Sequence, residues 1–300
     1  MSGYQTPDPV PGQGEPPAPA ASAARAAAAS GQVPIIELRD VDVVFTTRAG
    51  KLFHPNKIKA VNKVNIQLLA GQTIGIVGES GCGKSTTANV MCGLQQATSG
   101  QVLFKGVDVT HRSAKDRKEI GRVVSVVFQD PATALNARMT VEDQLIDPLV
   151  VHKLGDRKSR AARARELLTM VGLPKSALGA LPGQLSGGQR QRVAIARALS
   201  LKPDAIIADE PTSALDVSVR AQILNLLTDL KKSLGLGMVF ISHDIQTVRY
   251  VSDRIVVMNR GMIVEKGDAK DVLNNPQDDY TKLLLGAAPS LLHPTAAECA

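Results

Sequence analysis

Gly78-Glu79-Ser80-Gly81-Cys82-Gly83-Lys84-Ser85-Thr86 has the residue types and spacing to hold a chain of phosphates, in the pattern G-x-x-x-x-G-K-[ST]. Gly78, Gly81 and Gly83 allow backbone conformations that a Cβ obstructs, so successive N–H groups can face one anion. Lys84 supplies a point charge for β- and γ-phosphates, and Ser85 a hydroxyl ligand for Mg²⁺. A second group closes the apolar run Ala205-Ile206-Ile207-Ala208 with two acids, Asp209 and Glu210. Beside a phosphate loop, Asp209 belongs next to Mg²⁺ opposite Ser85, and Glu210 can polarise an attacking water as general base. A third group, Leu185-Ser186-Gly187-Gly188-Gln189, precedes the apolar helical run 193–199. Ser186 has the chemistry of an N-cap, and the glycines leave backbone donors exposed at a helix N-terminus, which makes a second anion site. One terminal phosphate does not need two such sites from the same protomer. The reading that uses both is a sandwich across a dimer interface around a nucleoside triphosphate.

The elements that must position these residues are legible as patterns. Thr73–Val77 is a short apolar, partly β-branched run that predicts a buried strand, and 86–94 predicts a helix stopping near Gly93. Runs at 74–77, 124–128, 205–208 and 238–241 lack alternation, as strands buried on both faces should. Alternation through 41–45 and 61–68 predicts antiparallel strands with a long loop at 46–58 between them. Further strands are expected at 102–104, 254–258 and 262–265, and a helical stretch, including 156–171, from about 132 to 180. Residues 1–32 are rich in Pro, Gly and Ala and are expected to form a disordered leader.

Composition narrows the partners only partly. The 300 residues carry a net charge of +7, which is compatible with nucleic acid, an acidic membrane surface, or neither. Much of the excess lies in the basic run 157–165, whose default reading is a solvated helix face. Cys82, Cys92 and Cys299 form no paired or metal-ligand spacing, which points to a reducing, cytoplasmic compartment. No apolar run approaches the roughly 18 residues of a membrane span, and no signal peptide is expected. Work at a membrane would require docking through a partner.

Taken together, the Gly78–Thr86 loop, Gln129, Leu185–Gln189, Ala205–Glu210, Ser213-Ala214-Leu215-Asp216 and His243 resemble, in order and spacing over about 34–265, the ATP-binding subunits of ATP-binding-cassette (ABC) transporters. Phe128-Gln129-Asp130-Pro131, Leu135-Asn136-Ala137-Arg138-Met139-Thr140-Val141 and Asp279-Tyr280-Thr281 with Ala288-Pro289-Ser290-Leu291 are similar to the oligopeptide and dipeptide permease branch, the peptide/nickel permeases. The resemblance implies an α/β fold: a P-loop NTPase with a RecA-like core (33–131 and 187–265), an antiparallel β-subdomain and an inserted α-helical subdomain (132–186). The ATPase domain would span 33–285, with a C-terminal extension at 266–300.

It also implies roles. Gln129 would sense Mg²⁺ and the water and link the site to membrane subunits. Ser186, Gly187 and Gly188 would contact the partner's γ-phosphate, Asp216 would couple the two sites, and His243 would contact the γ-phosphate. Phe45 is the candidate for stacking on adenine, with Phe53 and His54 as competitors. The implied ATP site therefore comprises Phe45, Gly78, Glu79, Ser80, Gly81, Cys82, Gly83, Lys84, Ser85, Thr86, Gln129, Ser186–Gln189, Asp216 and His243. Glu210, His243, Gln129 and Lys84 are its catalytic set, with Ser85, Gln129 and Asp209 at the metal. His111, His152 and His293 lack such context and are expected at the surface.

Three departures from the branch stand out: Ala137 in place of proline, Pro182-Gly183-Gln184 in place of a His-Glu pair, and Cys299 alone where some relatives hold an iron–sulfur centre. No iron–sulfur cluster is expected. The implied assembly is a second, related ATPase chain, two transmembrane permease subunits and an extracytoplasmic solute-binding protein, at the cytoplasmic face of the membrane and without nucleic acid. Nickel or oligosaccharide as cargo, an export ATPase, and a nucleic-acid-linked cassette ATPase are the alternatives.

Overall fold

The computed structural model describes residues 32–287, apart from 48–55, 112 and 131–133. The leader before residue 32, the aromatic competitors Phe53 and His54, Pro131, and the C-terminal stretch with Ala288–Leu291, His293 and Cys299 lie outside the described residues.

Two sheets share the chain. β1 (Ile36–Thr47), β2 (Asn56–Leu68), β4 (Ser99–Phe104) and β5 (Val107–Asp108) form an antiparallel sheet in the order β2-β1-β4-β5. β1 and β2 pair from Ile36↔Leu68 to Thr47↔Asn56, so the strands extend into what the alternation alone assigns to a loop at 46–58. The second sheet has the order β10-β9-β3-β8-β7-β6, built from β3 (Thr73–Val77), β6 (Val124–Val127), β7 (Ala205–Asp209), β8 (Gly237–Ser242), β9 (Arg254–Asn259) and β10 (Met262–Asp268). Its strands run parallel except for β10, which pairs antiparallel with β9.

Burial follows from that order. β3 and β8 are interior and every residue in them is buried, which is why they carry unbroken apolar runs. Even so, the pleat sorts their side chains. Ile74, Ile76, Val239 and Ile241 join the β1/β2 residues in one core, whereas Val77, Met238 and Phe240 join the helices in the other. β6 departs from expectation: it is the last strand of the sheet, Ser125 and Val126 are only half-buried, and Phe128 is exposed. An apolar run on an edge strand cannot be told from an interior one by periodicity alone.

Helices fill the crossovers: α1 (Lys84–Met91), α2 (Ala114–Val123), α3 (Val141–Val151), α4 (Arg157–Met170), α5 (Gly187–Ala198), α6 (Val217–Leu234), α7 (Ile245–Val251), α8 (Ala269–Asn274) and α9 (Asp279–Ala287). The expected helical stretch resolves into α3, α4 and short 3₁₀ turns at Lys175–Gly179 and Pro182–Gln184. Their starts are written in the sequence, since Thr140 and Asp156 cap α3 and α4 by accepting from the N–H groups of Asp143 and Ser159. The proposed division at 186 falls on the N-cap of α5, whereas β10 runs across the one at 265–266.

The basic run 157–165 is not simply a solvated face. Ala164 is buried, Arg160 Nε donates to the Leu154 carbonyl, and Arg163 Nη2 donates to that of Leu199 at 2.8 Å. His152 also differs from a free surface residue: it is half-buried, and its Nδ1 accepts from Arg122 Nε at 3.2 Å. Burial and the Arg122 charge hold that imidazole below its usual range. Among the described residues no helix is long and apolar enough to cross a membrane.

Candidate functional site

The C-terminal ends of four parallel strands converge, the place where open α/β sheets gather ligand-binding residues. Gly78 follows β3, Gln129 lies just past β6, Asp209 and Glu210 end β7, and His243 follows β8.

The loop after β3 is held tightly from beneath. Gly78 (φ 154) and Gly83 (φ 104) adopt backbone angles that L side chains rarely take, and Gly83 serves as N-cap of α1. A Cβ on Gly78 would run into the Met258 carbonyl of β9, and one on Gly83 into the Ala60 carbonyl of β2. The Gly261 N–H donates to the Cys82 carbonyl at 2.9 Å, closing the cradle. The Cys82 side chain is buried under the loop, and burial pushes its thiol up, so it keeps its proton. Lys84 is buried, and its Nζ donates to the carbonyls of Gly78 (2.7 Å) and Glu79 (2.8 Å). Both acceptors are neutral carbonyls and no described carboxylate pairs with this ammonium directly, although Asp209 feels its charge through space, so the ammonium can turn to an anion. Ser80 and Gly81 are exposed at the rim of the loop, Glu79 likewise, and Thr86 is half-buried.

Ser85 Oγ lies 3.4 Å from Asp209 Oδ1 across the mouth of the loop. Burial raises the Asp209 carboxyl above the ordinary range; Ser85 opposes that shift and the neighbouring Glu210 charge adds to it. A hydroxyl and a partly desolvated carboxylate are hard oxygen donors, and a carboxylate disfavoured as an anion is one that a cation would relieve. The pair fits Mg²⁺, which commonly takes one or two protein ligands together with substrate phosphates.

Glu210 is the most constrained residue of the group. Its backbone sits at φ 46 while its N–H still donates to the Ile241 carbonyl at 2.9 Å. A left-handed non-glycine residue costs on the order of 1–3 kcal/mol. Here the turn aims the carboxylate so that Oε2 accepts from Gln129 Nε2 at 3.2 Å and Oε1 lies 3.2 Å from His243 Nδ1. Ser213 Oγ donates to the Glu210 carbonyl at 3.1 Å and steadies the turn from behind. Because Gln129 uses its amide nitrogen on Glu210, its amide oxygen is the atom left for a cation. Such an arrangement can hold a phosphate chain and orient a base toward a water.

The Leu185–Gln189 segment is built separately. Ser186 caps α5: its Oγ accepts from the Gln189 N–H at 3.3 Å, and Gln189 Oε1 accepts from the Ser186 N–H at 2.9 Å. Gly188 packs so closely on Val219 of α6 that a Cβ would lie 2.6 Å from Val219 Cγ1, and Gly187 lies against Leu215. Asp216 caps α6, accepting from the Val219 N–H and Ser218 Oγ, each at 2.9 Å. The α5 N-terminus thus rides on the start of α6, and among the described residues no hydrogen bond joins it to the Gly78–Thr86 loop. Phe45, 40% exposed, pairs with Ile58 in β2, two residues from the Ala60 carbonyl that abuts Gly83. Sequence reasoning missed Tyr280 of α9, whose hydroxyl accepts from the Glu79 N–H at 3.0 Å across 201 positions of sequence. No spacing rule could have found that contact.

The raised Asp209 carboxyl has a measurable consequence. At acidic pH the group is protonated in folded and unfolded chains alike. As pH rises past the unfolded value, only the unfolded chain gains by ionising, so stability falls until the folded group ionises too. In chelator-treated protein, Asp209→Asn should therefore melt higher at neutral pH, by about 2–4 °C per kcal/mol relieved in a chain this size. Thermal melts across the acidic range should also show a flatter pH slope in the variant. Melting at or below the wild-type temperature would count against a burial cost at Asp209.

Residues 61–213 match the ABC transporter family. The oligopeptide transport ATP-binding protein OppF of Lactococcus lactis subsp. lactis (strain IL1403) is 44% identical over 258 residues, covering 86% of this chain and 81% of that protein. AppF of Bacillus subtilis (strain 168), also an oligopeptide transport ATP-binding protein, is 46% identical over 263 residues, covering 87% of this chain and 80% of the relative. Among solved structures, the dimeric post-hydrolysis state of the ATP-binding cassette MJ0796 bound to ADP and Pi is similar with a TM-score of 0.69 and 32% identity, over 78% of this chain and 98% of that one.

Proposed function

Since the chain belongs to the family of ABC transporter ATP-binding subunits, we propose that it is the ATP-hydrolysing motor of an importer that takes up peptides or a related solute across the cytoplasmic membrane. Glu210 carries this reading: a residue held at a left-handed backbone angle between Gln129 and His243, beside a phosphate loop, is an oriented base. In the proposed reaction the Gly78–Thr86 loop and Lys84 hold the β- and γ-phosphates, and Glu210 takes a proton from the attacking water. His243 and Gln129 keep the Glu210 carboxylate pointed at that water. Ser85, Asp209 and the Gln129 amide oxygen would hold Mg²⁺, which when bound neutralises charge on the β- and γ-oxygens.

Two such domains would close on two nucleotides, each gripped by one protomer's loop and the other's Ser186–Gln189 segment. Binding would favour the closed pair by differential affinity, and hydrolysis would release it. The partners proposed are a related second ATPase chain, two membrane permease subunits and an extracytoplasmic solute-binding protein, with this chain at the cytoplasmic face. The names of OppF and AppF favour peptide over nickel or oligosaccharide as cargo.

Purification of the whole complex in lipid membranes tests the assignment. ATP hydrolysis should rise when the solute-binding protein is added with a mixed peptide ligand, and fragments of peptide should copurify with that protein. Hydrolysis indifferent to the binding protein in either loading state would remove the import reading.

A further inference from the structure

The phosphate loop is restrained by a part of the chain that has no place in the chemistry above. Lys84 Nζ donates to the Gly78 carbonyl at 2.7 Å, while the N–H of the same peptide unit, that of Glu79, donates to Tyr280 Oη at 3.0 Å. One peptide plane, between Gly78 and Glu79, is therefore clamped at both ends. Lys84 is the mobile end of that clamp, because an arriving phosphate competes for its ammonium. Tyr280 is the fixed end. Its ring packs on the helical core, and its own N–H donates to Asp278 Oδ1 at 2.9 Å. The backbone just before it is tied down by β10, where Glu265 accepts from the N–H groups of Gln277 (2.9 Å) and Asp278 (3.1 Å). An unbroken path of hydrogen bonds and covalent chain leads from β10 through the start of α9 to the first peptide of the loop.

We propose that Tyr280 is a positioning residue for nucleotide binding: its hydroxyl fixes the Gly78–Glu79 peptide, so that the loop keeps its shape when Lys84 turns to a phosphate. The C-terminal helix α9 then sets nucleotide affinity without touching the nucleotide. This rests on reading 78–86 as the nucleotide loop. Removing the hydroxyl alone frees that peptide to rotate once Lys84 leaves it, and binding must then order it again. The loss falls equally on bound substrate and transition state, so it raises KM and leaves kcat in place.

Tyr280→Phe in the full chain tests this, with ADP in magnesium buffer as probe by calorimetry and ATP turnover measured in the assembled transporter. The expected result is a dissociation constant and a KM about 3–10-fold higher, the fold-change of one lost neutral hydrogen bond, with kcat unchanged. A merely structural hydroxyl would lower the melting temperature of the nucleotide-free protein and leave the ADP-induced shift alone; the proposal requires that shift to shrink. Glu265→Gln, one link further back, should move KM the same way by a smaller factor. Leu283→Ala, which alters an exposed, uncharged residue of the same helix, should not move it. Wild-type affinity in Tyr280→Phe, or an equal loss in Leu283→Ala, overturns the proposal. Failure of the unaltered protein to bind ADP overturns this proposal and the nucleotide reading together.

Discussion

Glu210→Gln is expected to bind ATP as the unaltered chain does and to hydrolyse it about 10²–10⁴-fold more slowly, the range for loss of a positioned general base. The substitution is nearly isosteric, and the surroundings can absorb it. Gln129 Nε2 can still donate to the remaining carbonyl oxygen, and the new amide can donate to His243 Nδ1 once that imidazole carries its proton on the other nitrogen. The backbone at φ 46 stays as it is, because the strand pairing through the Ile241 carbonyl does not depend on the side chain. Binding should be retained because the loop and Lys84, the proposed phosphate holders, are built without help from Glu210. The variant should therefore linger in the closed, ATP-bound pair, visible as a rise in apparent mass when ATP is added. Single-turnover phosphate release provides the rate. Turnover within a few-fold of the unaltered chain would remove Glu210 as the base and shift attention to His243.

The candidate site was legible in the sequence where its build is local, and it stopped being legible where it depends on the third dimension. The loop, the Asp209–Glu210 pair and the capped Ser186 segment are short motifs whose backbone consequences follow from glycine, proline-free strands and capping residues within a few positions. Order along the chain supplied the rest, because in a doubly wound sheet each strand end delivers its next residue to the same edge. Edge and interior strands read alike, so β6 looked like β7 although only β7 has a neighbour on both sides. The charge of Arg163 read as solvated because no pattern announces that a guanidinium will reach the carbonyl of Leu199, thirty-six positions away. In the sequence Tyr280 stands out only through the resemblance at 279–281; its contact with Glu79 exists because β10 and α9 return to the loop from the far end of the chain. The left-handed backbone of Glu210 was equally hidden, since nothing about Asp-Glu-Pro requires it.

Ser186→Arg in this chain, assembled with unaltered partners, should lower the transporter's ATP turnover by about 10²-fold or more at the composite site it faces, the scale of removing preorganised N–H donors from a reacting anion. The α5 N-terminus is exposed at Ser186 and bonds nothing in the phosphate loop of its own protomer among the described residues. On the proposed pairing its backbone donors serve an anion brought by another chain, and an arginine there would occupy the space that anion needs. Binding of ATP to the isolated chain should be unaffected, because Lys84 and the loop are built on β3, β9 and β2 and not on α5. The cap must be separated from the blockade. Ser186→Ala removes the hydroxyl that accepts from Gln189 and should cost about 0.5–2 kcal/mol of stability, yet it leaves the N–H groups of Gly187 and Gly188 open, so its turnover should fall far less. Steady-state phosphate release by the three complexes, beside calorimetric ATP binding by the three isolated chains, distinguishes these effects. Undiminished turnover in the Ser186→Arg complex would mean that no nucleotide is gripped from across an interface, and the paired arrangement would have to be abandoned even with Glu210 kept as the base.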